Sequence, residues 1–231
     1  MSITVVKGKT KVDINREDLL KFMIPYKRIV LDIGTGDGKY ILKSARSATT
    51  TFFIGIDPSA QVMEESSKKI NRKISKGGVT NALFVLSRVE NLPHELDGIA
   101  EEIHINMPWG SLLEGLIMGE QIVLQNITRV AKPDAKLEIL INYSIFHGER
   151  VSQDMSHLPL LTYEYIDEYL SDKYLNAGLV IVERELVGKN DIVNMNTVWA
   201  KKLAYGREPR TIRIRATINP DNNKISTNLN L

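Results

Sequence analysis

Leu31-Asp32-Ile33-Gly34-Thr35-Gly36-Asp37-Gly38 is the stretch on which the fold turns. An apolar run, Arg28-Ile29-Val30-Leu31, leads into it, and Lys39-Tyr40-Ile41-Leu42-Lys43 leaves it with helical spacing. The pattern is a buried strand, a glycine turn and a helix start. Glycine lets such a turn take positive φ and lets backbone approach a ligand closely. The third glycine, Gly38, comes one place earlier than in a dinucleotide fingerprint. Asp32 and Asp37 would repel a pyrophosphate and attract an ammonium group.

Working outward, Thr51-Phe52-Phe53-Ile54-Gly55-Ile56-Asp57 reads as a second strand. It ends in an acid about 20 residues beyond the glycines, where a ribose-binding carboxylate belongs in a βαβ unit. Asp57-Pro58 also opens a helix well, and the two roles are compatible. Upstream, Ile3 to Val6 and Thr10 to Ile14 flank Lys7-Gly8-Lys9 as a hairpin, and Asn15 caps a helix over Arg16 to Met23. Downstream, helices are expected over Ala60 to Lys73, Glu120 to Val130 and Tyr163 to Asn176. Strands are expected over Ala82 to Leu86, Ile99 to Met107, Leu137 to Ile141, Leu179 to Val187 and Thr211 to Ile218. The polar stretches 143–157 and 188–210 read as rim loops, the second with a short helix around Trp199, and 219–231 as a disordered tail. Alternating strands and helices predict an α/β fold: one domain over 1–218, with a seven-stranded, mostly parallel sheet, helices on both faces and an N-terminal β-hairpin. Ligands of such sheets sit beyond the carboxyl ends of the strands. Gly34 to Gly38, Asp57, Glu90 and Met107-Pro108-Trp109 all fall there.

Composition excludes more than it selects. In 231 residues there is no cysteine, which removes disulfides and thiolate chemistry. The four histidines show no metal-ligand spacing, so no metal is expected. No run approaches the roughly 20 apolar residues of a membrane span, and the N-terminus lacks a signal-peptide core. A soluble, cytoplasmic monomer is expected. The net charge of +2 selects no partner by itself, but its distribution is uneven. Lys68, Lys69, Arg72, Lys73 and Lys76 hold no acid among them and at helical spacing share one face. Lys201, Lys202, Arg207, Arg210, Arg213 and Arg215 form a second run, broken only by Glu208. Two such runs point to a phosphate backbone.

The glycine turn resembles motif I of the class I (Rossmann-like) methyltransferases, which bind S-adenosylmethionine. Pro108-Trp109 resembles a reduced form of the loop that amino-adenine methyltransferases place after this strand. Proline leaves neighbouring carbonyls free to accept, and tryptophan offers a stacking face. With Trp199, the second of only two tryptophans, it would sandwich a flipped base and favour a cationic product. N1 of adenine gives such a product, and its own lone pair is the nucleophile, so no general base is required.

Taken together, Asp32 to Gly38, Ser75-Lys76-Gly77-Gly78, Met107 to Leu113 and Trp199-Ala200-Lys201 resemble the aminoglycoside-resistance 16S rRNA (adenine-N1)-methyltransferases, the NpmA/KamB family. The resemblance runs over nearly the whole chain. It implies methylation of adenine 1408 (rRNA numbering) in the assembled small ribosomal subunit, and hence aminoglycoside resistance. It implies that Asp32 and Gly34, with Gly36 and Gly38, hold the methionine part of the cofactor, that Asp57 binds ribose, and that Val89 and Glu90 frame the cofactor adenine. Asn106, Met107, Ser111 and Thr197 would line the same pocket, and Pro108, Trp109 and Trp199 would hold the flipped adenine. Lys68, Lys69, Arg72, Lys73 and Lys76 would dock on rRNA, with Lys201, Lys202 and Arg207. The family has an arginine shortly before Leu158-Pro159-Leu160; Ser156 and His157 stand there, and Arg150 is the nearest substitute. Glu208-Pro209 similarly leaves Arg210 to replace an arginine one place earlier. The rival readings are a tRNA guanine-N7 methyltransferase, a small-molecule methyltransferase, which would need neither basic run, and a non-catalytic RNA-binding protein on a methyltransferase fold.

Overall fold

A computed structural model describes residues 2–142, 157–188 and 211–219. The chain forms two compact units, one of residues 1–106 and 130–132, the other of 107–129 and 133–231.

The first unit opens with β1 (Ile3–Lys7) and β2 (Thr10–Ile14), followed by α1 (Arg16–Met23). Asn15 Oδ1 accepts from Asp18 N at 2.9 Å and so caps α1. Then come β3 (Arg28–Ile33), α2 (Lys39–Ser47), β4 (Thr51–Asp57), α3 (Ala60–Ile70), β5 (Ala82–Leu86) and β6 (Ala100–Asn106). The strand order is β2-β1-β5-β4-β3-β6. Strands β3, β4, β5 and β6 run parallel, with Leu31 beside both Ile54 and Ile103. The order reverses at β3: the chain moves to β4 on one side and reaches β6 on the other. That reversal is a topological switch point, where parallel sheets open a crevice beyond their carboxyl ends. The core on one side joins Val30, Phe53 and Phe84 of the sheet to Ile41, Leu42 and Ala45 of α2 and Met63 and Ile70 of α3.

The second unit holds α4 (Ser111–Met118), α5 (Gln121–Val130), most of β7 (Ala131–Asn142), a helical run, β8 (Leu179–Val187) and β9 (Thr211–Ile218). The helical run is α6 (Tyr163–Tyr165), a π turn over Ile166–Leu170 and α7 (Ser171–Asn176). Strand β9 pairs antiparallel with both β7 and β8. The C-terminal carbonyls of α4 are satisfied by side chains of the later helical run. Tyr174 Oη donates to Leu116 O (3.2 Å), Tyr165 Oη to Ile117 O (3.1 Å) and Lys173 Nζ to Met118 O (3.0 Å).

The structure corrects four expectations. Nine strands, not seven, are present among the described residues, because the hairpin pairs into the first unit's sheet through Val5 and Val85. Helix α4 has no counterpart in the sequence reading. Helix α3 stops at Ile70 rather than Lys73. The chain folds back there: Val79 N donates to Ile70 O (3.0 Å), and a Cβ on Gly78 would lie 1.8 Å from Arg72 O, so only glycine permits the fold-back. Lys68, Arg72 and Lys76 therefore do not share a helical face; Ile74–Lys76 form a separate 3₁₀ turn. Finally, Arg213 and Arg215 are not free cations. Strand alternation sets them against the acids of neighbouring strands, Arg213 on Glu185 and Arg215 on Glu138 and Glu183.

Candidate functional site

In the first unit the turn after β3 is built around Asp32. Its side chain is 1% exposed, in a strand whose other residues after Arg28 are all apolar. Oδ2 accepts from Thr35 Oγ1 at 2.6 Å, and Oδ1 accepts from Asn106 Nδ2 at 3.0 Å. The second bond crosses the switch point, joining the ends of β3 and β6. Burial pushes the Asp32 carboxyl above the usual carboxylate range, and the hydrogen bonds from Thr35 and Asn106 pull the other way. His104 stands beside Asp32 in register, paired with Glu102 at 2.6 Å, and also favours the charged form. With no lysine or arginine on it among the described residues, Asp32 is a buried acid suited to a cationic ligand, which would favour its charged form.

The glycines divide by role. Gly34, Gly36 and Gly38 all have positive φ. A Cβ on Gly36 would meet nothing within 4 Å, so its backbone faces open space that a ligand can approach. A Cβ on Gly38 would lie 2.5 Å from the Phe84 ring, as one on Gly55 would lie 2.7 Å from it. Gly38 thus serves close helix–strand packing, the part that the last glycine plays in dinucleotide folds.

Asp57 ends β4. Oδ2 accepts from Gly36 N (3.0 Å) and Oδ1 from Ser59 N (2.9 Å), so one carboxylate ties the glycine turn to the start of α3. Burial raises its pKa, and the two amides oppose the rise. Val89 is buried and Glu90 half-buried in a 3₁₀ turn after β5. Asn106 Oδ1 is buried with no hydrogen-bond partner. An acceptor left open beside a buried acid, above a glycine with empty space over it, fits a donor-bearing cation such as an α-ammonium group. Asp37 does not join this set: its carboxylate is taken by Lys39 Nζ at 2.7 Å.

The described part of the second unit supplies Met107, Pro108, Trp109 and Ser111. Met107 has φ +52, a strained value for a non-glycine residue. Its N donates to Leu140 O at 2.8 Å, and its side chain packs on Leu140 and Val187. Pro108 is buried, whereas Trp109 is 55% exposed, an unusual state for the largest apolar side chain. Ser111 is exposed at the first turn of α4. Thr197, Trp199, Arg150, Lys201, Lys202, Arg207 and Arg210 lie outside the described residues, as do the tail beyond Asn219 and the helix expected around Trp199.

Of the first basic run, Lys68 is held by Glu64 and Lys69 by Glu65 at 2.6 Å. Arg72, Lys73 and Lys76 are exposed beyond the helix end, with no carboxylate in ion-pair reach among the described residues. Thr35 was missed in the sequence; a hydroxyl three residues after a buried acid in a tight turn was the available signal. No group of acids and histidines arranged to hold a metal is found among the described residues, and no helix there is long and apolar enough to cross a membrane.

Comparison with known proteins bears on this geometry. A family model, NpmA, described as 16S rRNA (adenine(1408)-N(1))-methyltransferase, matches residues 4–218. A 16S rRNA (adenine(1408)-N(1))-methyltransferase of Escherichia coli is 37% identical over 214 residues, covering 91% of this chain and 96% of the relative. Among solved structures, a tryptophan-to-alanine mutant of the corresponding enzyme from Catenulisporales acidiphilia, crystallised with the cosubstrate SAM, superposes with TM-score 0.88 at 33% identity, covering 94% of this chain and 97% of that one. The aminoglycoside resistance methyltransferase NpmB1 superposes with TM-score 0.80 at 35% identity, covering 94% of this chain and all of that one (100%).

Proposed function

The chain belongs to the NpmA family of 16S rRNA (adenine(1408)-N(1))-methyltransferases, and from that membership we propose that it methylates N1 of adenine 1408 in the small ribosomal subunit, conferring aminoglycoside resistance. The observation that carries the reading is the hydrogen bond of Asn106 to buried Asp32 across the switch point, with the buried acceptor Oδ1 of Asn106 still open. S-adenosylmethionine would supply an electrophilic methyl group on a sulfonium. Asp32, Gly34 and Asn106 would hold its ammonium end, and Gly36 would leave room for it. Asp57 would take the ribose hydroxyls with its remaining lone pairs, and Val89 and Glu90 would frame the adenine. Gly38 supports the turn through packing.

On the substrate side, Pro108 and Trp109, with Trp199, would hold the flipped adenine; Met107, Ser111 and Thr197 would complete the pocket. Orientation of the N1 lone pair would supply most of the acceleration. Arg72, Lys73 and Lys76, with Lys68, Lys69, Arg150, Lys201, Lys202, Arg207 and Arg210, would contact rRNA phosphates. We take the acting species to be one cytoplasmic methyltransferase domain over 1–218, working as a monomer on the assembled subunit. Primer extension on 16S rRNA from subunits treated with protein and S-adenosylmethionine should stop at position 1408. A stop elsewhere, or methylation of transfer RNA guanine instead, would replace this reading with one of its rivals.

A further inference from the structure

The N-terminal hairpin presents a basic surface that the cofactor site does not use. Lys7, Lys9 and Lys11 are exposed, and none has a carboxylate in ion-pair reach among the described residues. Their neighbours Lys68 and Lys69, by contrast, are bound to Glu64 and Glu65. Asp13, the one acid in the hairpin, lies beside Thr4 away from the turn and accepts its hydroxyl at 2.7 Å.

The turn is held, not loose. Gly8 N donates to Ser67 Oγ (2.8 Å), and Ser67 Oγ donates to Val6 O (2.7 Å), with Ser67 fully buried at 0% exposure. Gly8 has φ +63, and a Cβ there would fall 3.0 Å from Lys68 Cγ. Between this turn and the start of α3 lies an open cleft of about 420 Å³. Lys9, Thr10 and Lys11 form one wall, and Pro58, Ser59 and Gln61 line the other. Glu64 is the only acid among its lining residues, and Lys68 occupies it. A groove with exposed lysines on a backbone-anchored turn at one side and small polar groups on the other suits a polyanionic strand, because the turn itself needs no further ordering to present its cations.

We propose that this cleft grips a segment of ribosomal RNA backbone, making the hairpin a second docking element beside the basic residues that follow α3. The inference rests on the proposed reading of the chain as an rRNA methyltransferase. Its partner is the phosphodiester backbone itself, without base selection.

The test is binding of the full chain to purified small subunits across a salt series. Replacing Lys9 and Lys11 together by Ala should weaken binding about tenfold and flatten the log–log salt dependence by about 2 units, at roughly 0.9 per lost phosphate contact. Cofactor affinity and thermal unfolding should stay at wild-type values, and the double Arg variant should restore binding. Gln61→Glu, a change of charge at nearly constant size, should weaken binding in the same direction. If the wild type binds and methylates subunits while the Ala variant and Gln61→Glu keep its affinity and slope, the hairpin is not a docking element. If the wild type neither binds nor methylates subunits, the parent reading falls and this inference with it.

Discussion

The turn after β3 and the turn after β6 were both singled out for chemistry, and they are built in opposite ways. Around Asp32 the polar groups largely satisfy one another: Thr35, Asn106, Gly36, Asp57 and Ser59 form hydrogen bonds of 2.6–3.0 Å in and around a nearly closed turn. At Met107-Pro108-Trp109 the backbone is strained and the largest ring is 55% exposed. The first is preorganised for a small ligand by its own hydrogen bonds. The second offers a half-exposed aromatic ring with no ring or cation stacked on it among the described residues, which suits a base delivered by another molecule. The small ligand and the large substrate are therefore expected to respond to different mutations.

The largest effect should come from the exposed ring. Trp109→Ala removes a stacking contact worth about 1–3 kcal/mol per base and the base's orientation with it. Methylation of subunits should fall at least about 100-fold, while subunit docking, carried by the basic residues, should persist. Trp109→Phe should keep partial activity, since a π face remains. Single-turnover methylation beside subunit-binding measurements separates the two; wild-type turnover by the Ala variant would end the contrast drawn above.

Next come the glycines, where the contrast can be broken inside one turn. Gly38→Ala adds a Cβ 2.5 Å from Phe84 at φ +69, and should cost about 2–4 kcal/mol of stability from overpacking and left-handed strain. Gly36→Ala meets nothing within 4 Å and should cost only about 1–2 kcal/mol from its φ, while interfering with the cofactor. Denaturant titration and cofactor calorimetry should therefore rank the pair in opposite orders.

Asp57→Ala should weaken the cofactor by about 1.5–3 kcal/mol if two charge-assisted hydrogen bonds to ribose are lost. Part of that loss would come through Gly36 and Ser59, whose amides the carboxylate now holds. Asp57→Asn, which keeps one acceptor, should lose less. Equal affinity in all three proteins would take ribose binding away from Asp57.

Much of this was legible in the sequence because it is local. Strands β4, β5, β8 and β9 fall on their expected residues, since apolar runs bounded by turns mark them. The acid at Asp57 and the glycine spacing sit in a short βαβ segment. What escaped depends on contacts between distant residues or on competing local ones. The hairpin's pairing with β5 joins Val5 to Val85 and leaves no periodic trace. Lys68 and Lys69 looked like free cations because the lysines were counted without Glu64 and Glu65 one turn earlier, although i, i+4 pairing was readable. Arg213 and Arg215 were read as a charge run, where strand alternation sets them against Glu185, Glu138 and Glu183.

The smallest effect concerns the proton on Asp32, and its direction is fixed by burial. In the free protein burial holds the Asp32 carboxyl above its usual value near 4, against the pull of Thr35, Asn106 and His104 and with added repulsion from Asp57. The folded chain therefore binds this proton more tightly than the unfolded one, so Asp32 makes stability decline as pH rises from the usual carboxylate value through the raised one, and contributes no slope above it. An ammonium group placed on Asp32 favours the charged form and lowers that pKa. Between the free and bound values, cofactor binding must then expel up to one proton, and affinity must climb with pH before levelling off. Calorimetry of cofactor binding in two buffers of different ionisation enthalpy, at a series of pH values upward from the usual carboxylate range, reads the proton count directly. Asp32→Asn should abolish the release and flatten the climb, whereas Asp57→Asn should leave most of both. Cofactor binding that releases no proton in the wild type would mean that the ammonium group lies elsewhere, and that Asp32 only holds the turn together.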